Sequence, residues 1–209
     1  MGLFDYWRRL PGGALRLRSP LYFVRHGQTD WNAEQRLQGL SDIPLNETGR
    51  AQAARNGRVL GSLIRERGTV QFVTSPLSRA VETLEIIRRE MELPIKRYAL
   101  DDRLVEIDLG EWNGKTRAEI EADDPGVFDR QAKARWRFEI PGGEPYADAA
   151  GRARDFLTSL RGPTIVVAHG GIGRLIRGYA LGLPMRKLEA LRIPHDQVFA
   201  LRSGGEKVY

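Results

Sequence analysis

Leu21-Tyr22-Phe23-Val24-Arg25-His26-Gly27-Gln28-Thr29 is the stretch from which the fold can be read. Leu21 to Val24 is a short apolar run of strand-forming side chains. It breaks at Arg25-His26-Gly27, where a guanidinium and an imidazole stand before a residue that turns freely. A strand that delivers Arg and His to a Gly-containing corner suits the carboxyl edge of an α/β sheet, where ligands bind. The tripeptide alone occurs by chance in many proteins. Its meaning depends on whether distant segments bring partners to the same edge.

Working outward, Asn46 reads as an N-cap with Glu47 in the first turn of a helix. Val59, Leu60, Leu63 and Ile64 give that helix its apolar stripe, and Gly68 is expected to end it. Val70 to Thr74 reads as a second strand. Ser75-Pro76 follows as a start signal, with Ser as N-cap and Pro at the first helical position. Ala80, Leu84, Ile87 and Met91 then form a face to bury. Pro94 stops this helix, and a third strand is expected around Ile95–Tyr98.

The stretch from Leu100 to Pro145 is polar, with a capping box at Thr116-x-x-Glu119. Ala149, Ala153, Phe156, Leu157 and Leu160 line another helix. Thr164 to Ala168 is the clearest buried strand, and it breaks at His169-Gly170-Gly171. Ile172, Leu175, Ile176 and Tyr179 mark the helix behind it, and Val198–Leu201 adds a last strand. Strands alternating with helices predict a three-layer α/β/α domain around a mostly parallel sheet.

Composition bounds the answer. A chain of 209 residues suits one domain with a proper core. There is no cysteine, so there is no disulfide framework, thiolate nucleophile or Cys-based metal site, and a reducing cytoplasm is the default compartment. No apolar run approaches the roughly 18 residues of a membrane span. The net charge is +6. Arg8, Arg9, Arg16 and Arg18 against Asp5 place +3 of it in residues 1–20, too little elsewhere for a nucleic-acid partner but in keeping with anionic small molecules. Residues 1–20, with Leu3, Phe4, Tyr6, Trp7 and Leu10 among arginines ahead of Pro11-Gly12-Gly13, read as an extension to a domain spanning 21–209. A membrane-surface or partner-docking segment is the alternative.

Three predicted strands thus end at the same kind of corner, with Arg25 and His26, with Thr74, Ser75 and Arg79, and with His169. In a parallel sheet these corners share one edge. Two arginines and two histidines crowded together are costly unless an anion neutralises them, and phosphate suits them. Arg79 near a helix start adds that helix's partial positive charge.

Arg25-His26-Gly27-Gln28-Thr29, Ser75-Pro76-Leu77-Ser78-Arg79-Ala80, Val167-Ala168-His169-Gly170 and the segment Glu106 to Gly114 resemble the signatures of the histidine phosphatase superfamily. The matching branch includes cofactor-dependent phosphoglycerate mutase, and the resemblance runs in order from about Tyr22 to Leu201. It implies a phosphoglycerate mutase-like fold and hydrolysis of a phosphate monoester through a phosphohistidine, with no cofactor and no metal. His26 is the implied nucleophile. Arg25, Arg79 and His169 clamp the transferring oxygens, with His169 protonated beside the dianion. Glu106 is the implied proton donor, with Asp108, Glu111 and Glu144 as rivals. Asn32, Gln38, Gly39 and Gly170 are expected to bind substrate. The chemistry is demanding, because uncatalysed monoester hydrolysis leaves on the order of 10²¹-fold room for acceleration, and a histidine nucleophile divides it into two easier steps.

Competing readings attach to the same residues. His195, in Ile193-Pro194-His195-Asp196, reads as a turn residue before the last strand. Gly171-x-Gly173 lacks the third glycine of a dinucleotide fingerprint. Trp112, Trp136 and Phe138 either wall the substrate pocket or fill the core. Glu106 is followed by Ile107-Asp108-Leu109-Gly110 rather than the Arg-His-Tyr typical of the mutases, and Asp108 would repel a second anionic substrate. A small-molecule phosphatase is therefore preferred, with a mutase or a catalytically silent phospholigand-binding protein as alternatives. A homodimer is compatible with either.

Overall fold

The computed structural model describes residues 10, 13–134, 138–188, 190–203 and 205–209. Its sheet contains β1 (Leu21–Arg25), β2 (Gln71–Thr74), β3 (Ala99–Leu100), β4 (Thr164–Ala168), β5 (Val198–Arg202) and β6 (Gly205–Val208), in the order β3-β2-β4-β1-β5-β6. The first four strands across the sheet run parallel, while β5 runs antiparallel to β1 and β6 to β5. The helices are α1 (Asp30–Ala33), α2 (Glu47–Leu63), α3 (Ser78–Glu90), α4 (Arg117–Asp123), α5 (Val127–Ala134), α6 (Tyr146–Ser159), α7 (Gly170–Leu181) and α8 (Met185–Leu188).

The period-two alternation of strand side chains divides the apolar residues between two layers. Phe23, Val166, Ala168 and Phe199 face α6 and α7, meeting Ala153, Phe156, Ile172 and Tyr179. Val24, Ile165, Val167 and Val198 face α2 and α3, meeting Leu60, Leu84, Ile87 and Met91. β4 is buried along its whole length, as a central strand covered on both faces must be. The expected α/β/α sandwich is the one observed. Residues of the 100–145 region build a smaller cluster of Trp112, Ile120, Val127 and Ile140 with Phe128 and Phe138, so Trp112 and Phe138 are packing residues. Trp136 lies outside the described residues.

Four local expectations need correction. The third strand is Ala99–Leu100 rather than 95–98, because Arg88 Nε takes the carbonyls of Pro94 and Ile95 and Tyr98 donates to Glu85 Oε1, holding that segment against α3. α2 ends at Leu63 rather than near Gly68, where the extended backbone of Ile64 drives its side chain into the core. β6 was not anticipated. It is tied down by Glu206, which pairs with both ends of the buried Arg177 guanidinium at 2.6 Å. Finally, the core reaches back before residue 21. Leu10 is 2% exposed and packs beside α7, the Leu15 amide donates to the Tyr179 carbonyl at 3.0 Å, and Leu17 lies against the same cluster. Leu3, Phe4, Tyr6 and Trp7 lie outside the described residues. No described helix is long and apolar enough to cross a membrane.

Leu10→Ala is expected to lower stability by about 2–4 kcal/mol, the usual cost of truncating a buried leucine, measured as a shift in denaturant midpoint. A shift of under about 0.5 kcal/mol, typical of surface changes, would return this segment to a mere extension.

Candidate active site

β1 carries Arg25 and His26 to the carboxyl edge, and the His26 amide continues the ladder by donating to the Ala168 carbonyl at 2.9 Å. The chain then turns sharply at Gly27, whose amide donates to Thr83 Oγ1 at 3.0 Å. A Cβ on Gly27 would be driven into the Gly49 carbonyl, and one on Gly49 into the Gln28 backbone. Backbone therefore lies directly on backbone behind His26. His26 Nδ1 faces the Gly27 carbonyl at 2.7 Å and must carry the proton there. That leaves Nε2 with its lone pair for attack.

β4, beside β1, carries His169 so that the two imidazole centroids lie 5.1 Å apart. Arg79, 0% exposed, arrives from the first turn of α3. Its Nε–H donates to His169 Nδ1 at 3.3 Å, so the His169 proton sits on Nε2, which donates to Ser75 Oγ at 2.8 Å. Arg79 Nη1 and Nη2 donate to the carbonyls of Ser41 and Gly39 at 2.5 and 2.8 Å. A guanidinium has five N–H groups; three are used here and two remain. The Ser75 hydroxyl meets His169 and, at 3.4 Å, the Leu77 amide, but caps no amide within α3. That helix starts later, with Leu77 at its N-cap, and Asp42 Oδ1 takes the Ser78 amide at 2.8 Å.

Arg25 Nη1 donates to the Ile193 carbonyl at 3.0 Å, and its Nε is buried without a partner. Gly170 lies against that guanidinium, with a would-be Cβ 3.4 Å from its Cζ. Glu106 closes the group by capping the helix that follows His169. Its Oε2 accepts from the Gly171 amide at 2.9 Å, and its Oε1 from Ile172 at 3.1 Å and from Ile107 at 2.9 Å. Of the rival carboxylates, Glu111 is exposed, Asp108 Oδ1 accepts from the Gly110 amide, and Glu144 pairs with Arg152.

Burial dominates the electrostatics. It pushes His26 well below the ordinary histidine range, and the positive field of His169, Arg25 and Arg79 adds to the effect. Burial does the same to His169, followed by Arg79 and Arg25. Arg25 falls to about 10, chiefly by burial, with Glu106 opposing the change. Arg79 is lowered by burial and supported by Glu106 and Asp42. Both arginines stay charged near neutral pH, while both histidines are neutral in this form. The protonated His169 expected from the sequence belongs to the site with a dianion beside it, whereas the neutral ring belongs to the site without one.

Of the expected substrate contacts, Gln38 is buried and donates to Thr29 Oγ1 at 2.7 Å, with its amide oxygen free of partners. Gly39 takes a left-handed φ of 47° that presents its carbonyl to Arg79. The side-chain oxygen of Asn32 is held in the capping box with Thr29 that starts α1. Sequence reasoning missed His195. Its Nδ1–H donates to the His26 carbonyl at 2.6 Å, its ring stands edge-on to His26 at 5.4 Å, and burial lowers it to about 4. Only the antiparallel placement of β5 beside β1 could have revealed this, since it returns the preceding loop to the edge that holds His26.

A profile of the histidine phosphatase superfamily (branch 1) matches residues 21–208. Glucosyl-3-phosphoglycerate phosphatase of Mycobacterium tuberculosis is 35% identical over 188 residues, covering 82% of this chain and 79% of that protein. Probable phosphoglycerate mutase GpmB of Salmonella paratyphi C is 33% identical over 179 residues, covering 83% and 80%. Among solved structures, mycobacterial glucosyl-3-phosphoglycerate phosphatase complexed with VO3 has a TM-score of 0.75 at 31% identity, covering 91% of this chain and 97% of that one. Bacillus stearothermophilus YhfR has a TM-score of 0.74 at 31% identity, covering 91% and 95%. The chain belongs to the histidine phosphatase superfamily, branch 1, a family that acts through a phosphohistidine.

Two buried neutral histidines, His26 and His169, and the half-buried His195 make stability depend on pH. The unfolded chain takes up their protons near 6.5, while the folded chain resists until far lower, at about 4 for His195. Their contribution is full above about 6.5 and is lost as pH falls from there towards 4, by about 1.4 kcal/mol per pH unit for each histidine. Denaturant midpoints are expected to drop between pH 7.5 and 5.5. A flat profile would contradict the neutral assignment.

Proposed function

We propose that this chain is a phosphatase that removes phosphate from a small phosphorylated acid or sugar, with His26 as nucleophile and Glu106 as the proton carrier. The observation that carries this is the unprotonated Nε2 of His26 beside His169, with Arg25, Arg79 and Glu106 near enough to act on one another's charge. The phosphate dianion enters against the uncommitted N–H groups of Arg25 and Arg79 and neutralises a cluster that is costly without it. Nε2 attacks phosphorus opposite the ester oxygen, the P–O bond breaks, and Glu106, carrying in the substrate complex a proton drawn from solvent, gives it to the leaving alkoxide. The dianion also reverses the field at His169, so that this ring gains a proton and donates to a phosphoryl oxygen in the transition state. Glu106, now ionised, takes a proton from the water that attacks phosphohistidine, and inorganic phosphate leaves.

The positive charge that phosphoryl transfer requires comes from the arginines, so activity is expected to persist in a chelator. The choice of leaving group follows the relatives' names: glucosyl-3-phosphoglycerate and the phosphoglycerates are the first substrates to assay. The mutase-named relatives favour a second reading, in which the phosphoryl group returns to another hydroxyl instead of water.

Wild type and His26→Ala are to be compared for phosphate release from these esters and for interconversion of 3- and 2-phosphoglycerate. Release is expected to be lost by at least about 10³-fold in the variant, the scale of a missing nucleophile, and wild type should trap an acid-labile phosphoenzyme. Activity surviving in His26→Ala would refute the nucleophile. Fast interconversion with negligible release would favour the mutase.

A further inference from the structure

Arg152 is committed to the backbone around Glu106. It projects from α6, with its side chain 17% exposed. Its Nη1 donates to the carbonyls of Arg103 at 2.9 Å and Val105 at 2.6 Å, and its Nη2 donates to the carbonyl of Glu106 itself at 3.1 Å. The opposite edge of the guanidinium forms a two-point pair with Glu144, with Nε and Nη2 each 2.8 Å from a carboxylate oxygen. Glu144 closes the loop from the other side: its amide donates to the Asp108 carbonyl at 2.8 Å. The guanidinium thus grips the chain before and at residue 106, and the backbone of its partner Glu144 holds it at residue 108.

A pair placed only for stability has no need of this pattern. The segment from Val105 to Leu109 has no helix or strand to hold it. Ile107 is anchored in the core and the Val105 amide and Leu109 carbonyl make turn bonds, while the N–H groups at the start of α7 fix the Glu106 carboxylate; the Glu106 carbonyl itself is held by Arg152. A forked, planar guanidinium can hold neighbouring carbonyls and a carboxylate at once; a lysine in its place would lose most of these bonds. Proton delivery tolerates little error in donor position.

We infer that Arg152, anchored by Glu144, is a positioning residue for the general acid. It holds the Glu106 peptide so that the carboxyl oxygen meets the leaving-group oxygen. The inference rests on Glu106 being that acid, and the experiment separates the two claims.

The test is the dependence of kcat/KM on the leaving group, because an acid matters for an alkoxide and hardly at all for an activated phenolate. kcat/KM covers only the steps through phosphorylation of His26, so dephosphorylation does not confuse it. Arg152→Lys, Glu144→Gln and Glu106→Gln are each assayed with β-glycerophosphate and with 2,4-dinitrophenyl phosphate. Glu106→Gln is expected to lose about 10²-fold or more on the alkyl ester and far less on the aryl ester. Arg152→Lys and Glu144→Gln should show the same skew, with the alkyl-to-aryl ratio falling about tenfold. If Arg152→Lys does not fold, the ratio in Glu144→Gln decides alone. Equal losses on both esters in the clamp variants, with the skew kept in Glu106→Gln, would make the pair purely structural and overturn the inference. No skew in Glu106→Gln would overturn the acid assignment and the inference together.

Discussion

Crowding of positive charge away from water is the constraint on which this molecule turns. Arg25, Arg79, His26, His169 and His195 converge at one sheet edge, and each is driven towards its uncharged form chiefly by burial. The protein accommodates them in two ways. The histidines are neutral, each with Nδ1 or Nε2 donating to a protein oxygen. The arginines stay charged but lean on Glu106, on Asp42 and on the carbonyls of Gly39, Ser41 and Ile193. What is left over is a small surplus of N–H donors around one unprotonated nitrogen, which is an arrangement suited to a tetrahedral dianion.

Helix termini were the natural candidates for binding that anion, yet both at the site are occupied by carboxylates of the protein itself. Asp42 takes the first amide of α3, and Glu106 takes the amides at the start of α7. The dipoles therefore organise acidic side chains around the pocket, and the guanidinium groups are left to meet the ligand. Glu106 gains most from this, since the same bonds that orient it also bring it within range of both arginines.

Much of this was legible in the residues. The run Leu21–Val24, the stripe through Ala80, Leu84, Ile87 and Met91, and the block Thr164–Ala168 specify a layered α/β sandwich by period alone, and four of the five catalytic candidates (Arg25, His26, Arg79 and His169) follow predicted strands; Glu106 does not. Other features were not legible, for physical reasons. Ser75 has the chemistry of an N-cap, but its hydroxyl is held by a tertiary partner, His169, and reaches only the Leu77 amide, one residue short of the helix. Ile95–Tyr98 has strand-forming residues, but Arg88 and Glu85 hold its polar groups. His195 and the Arg152–Glu144 pair depend on contacts between segments about 170 and 46 residues apart, to which periodicity is blind.

The contact of Gly27 with Gly49 has a mechanical side. With no side chain between them, the wall behind the His26 imidazole is two peptide planes in direct touch, braced by Thr83 and by the start of α2. Such a wall has no soft layer to compress. A ligand pressing on the His26 ring must therefore adjust its own position, because the chain behind the ring has no room to give.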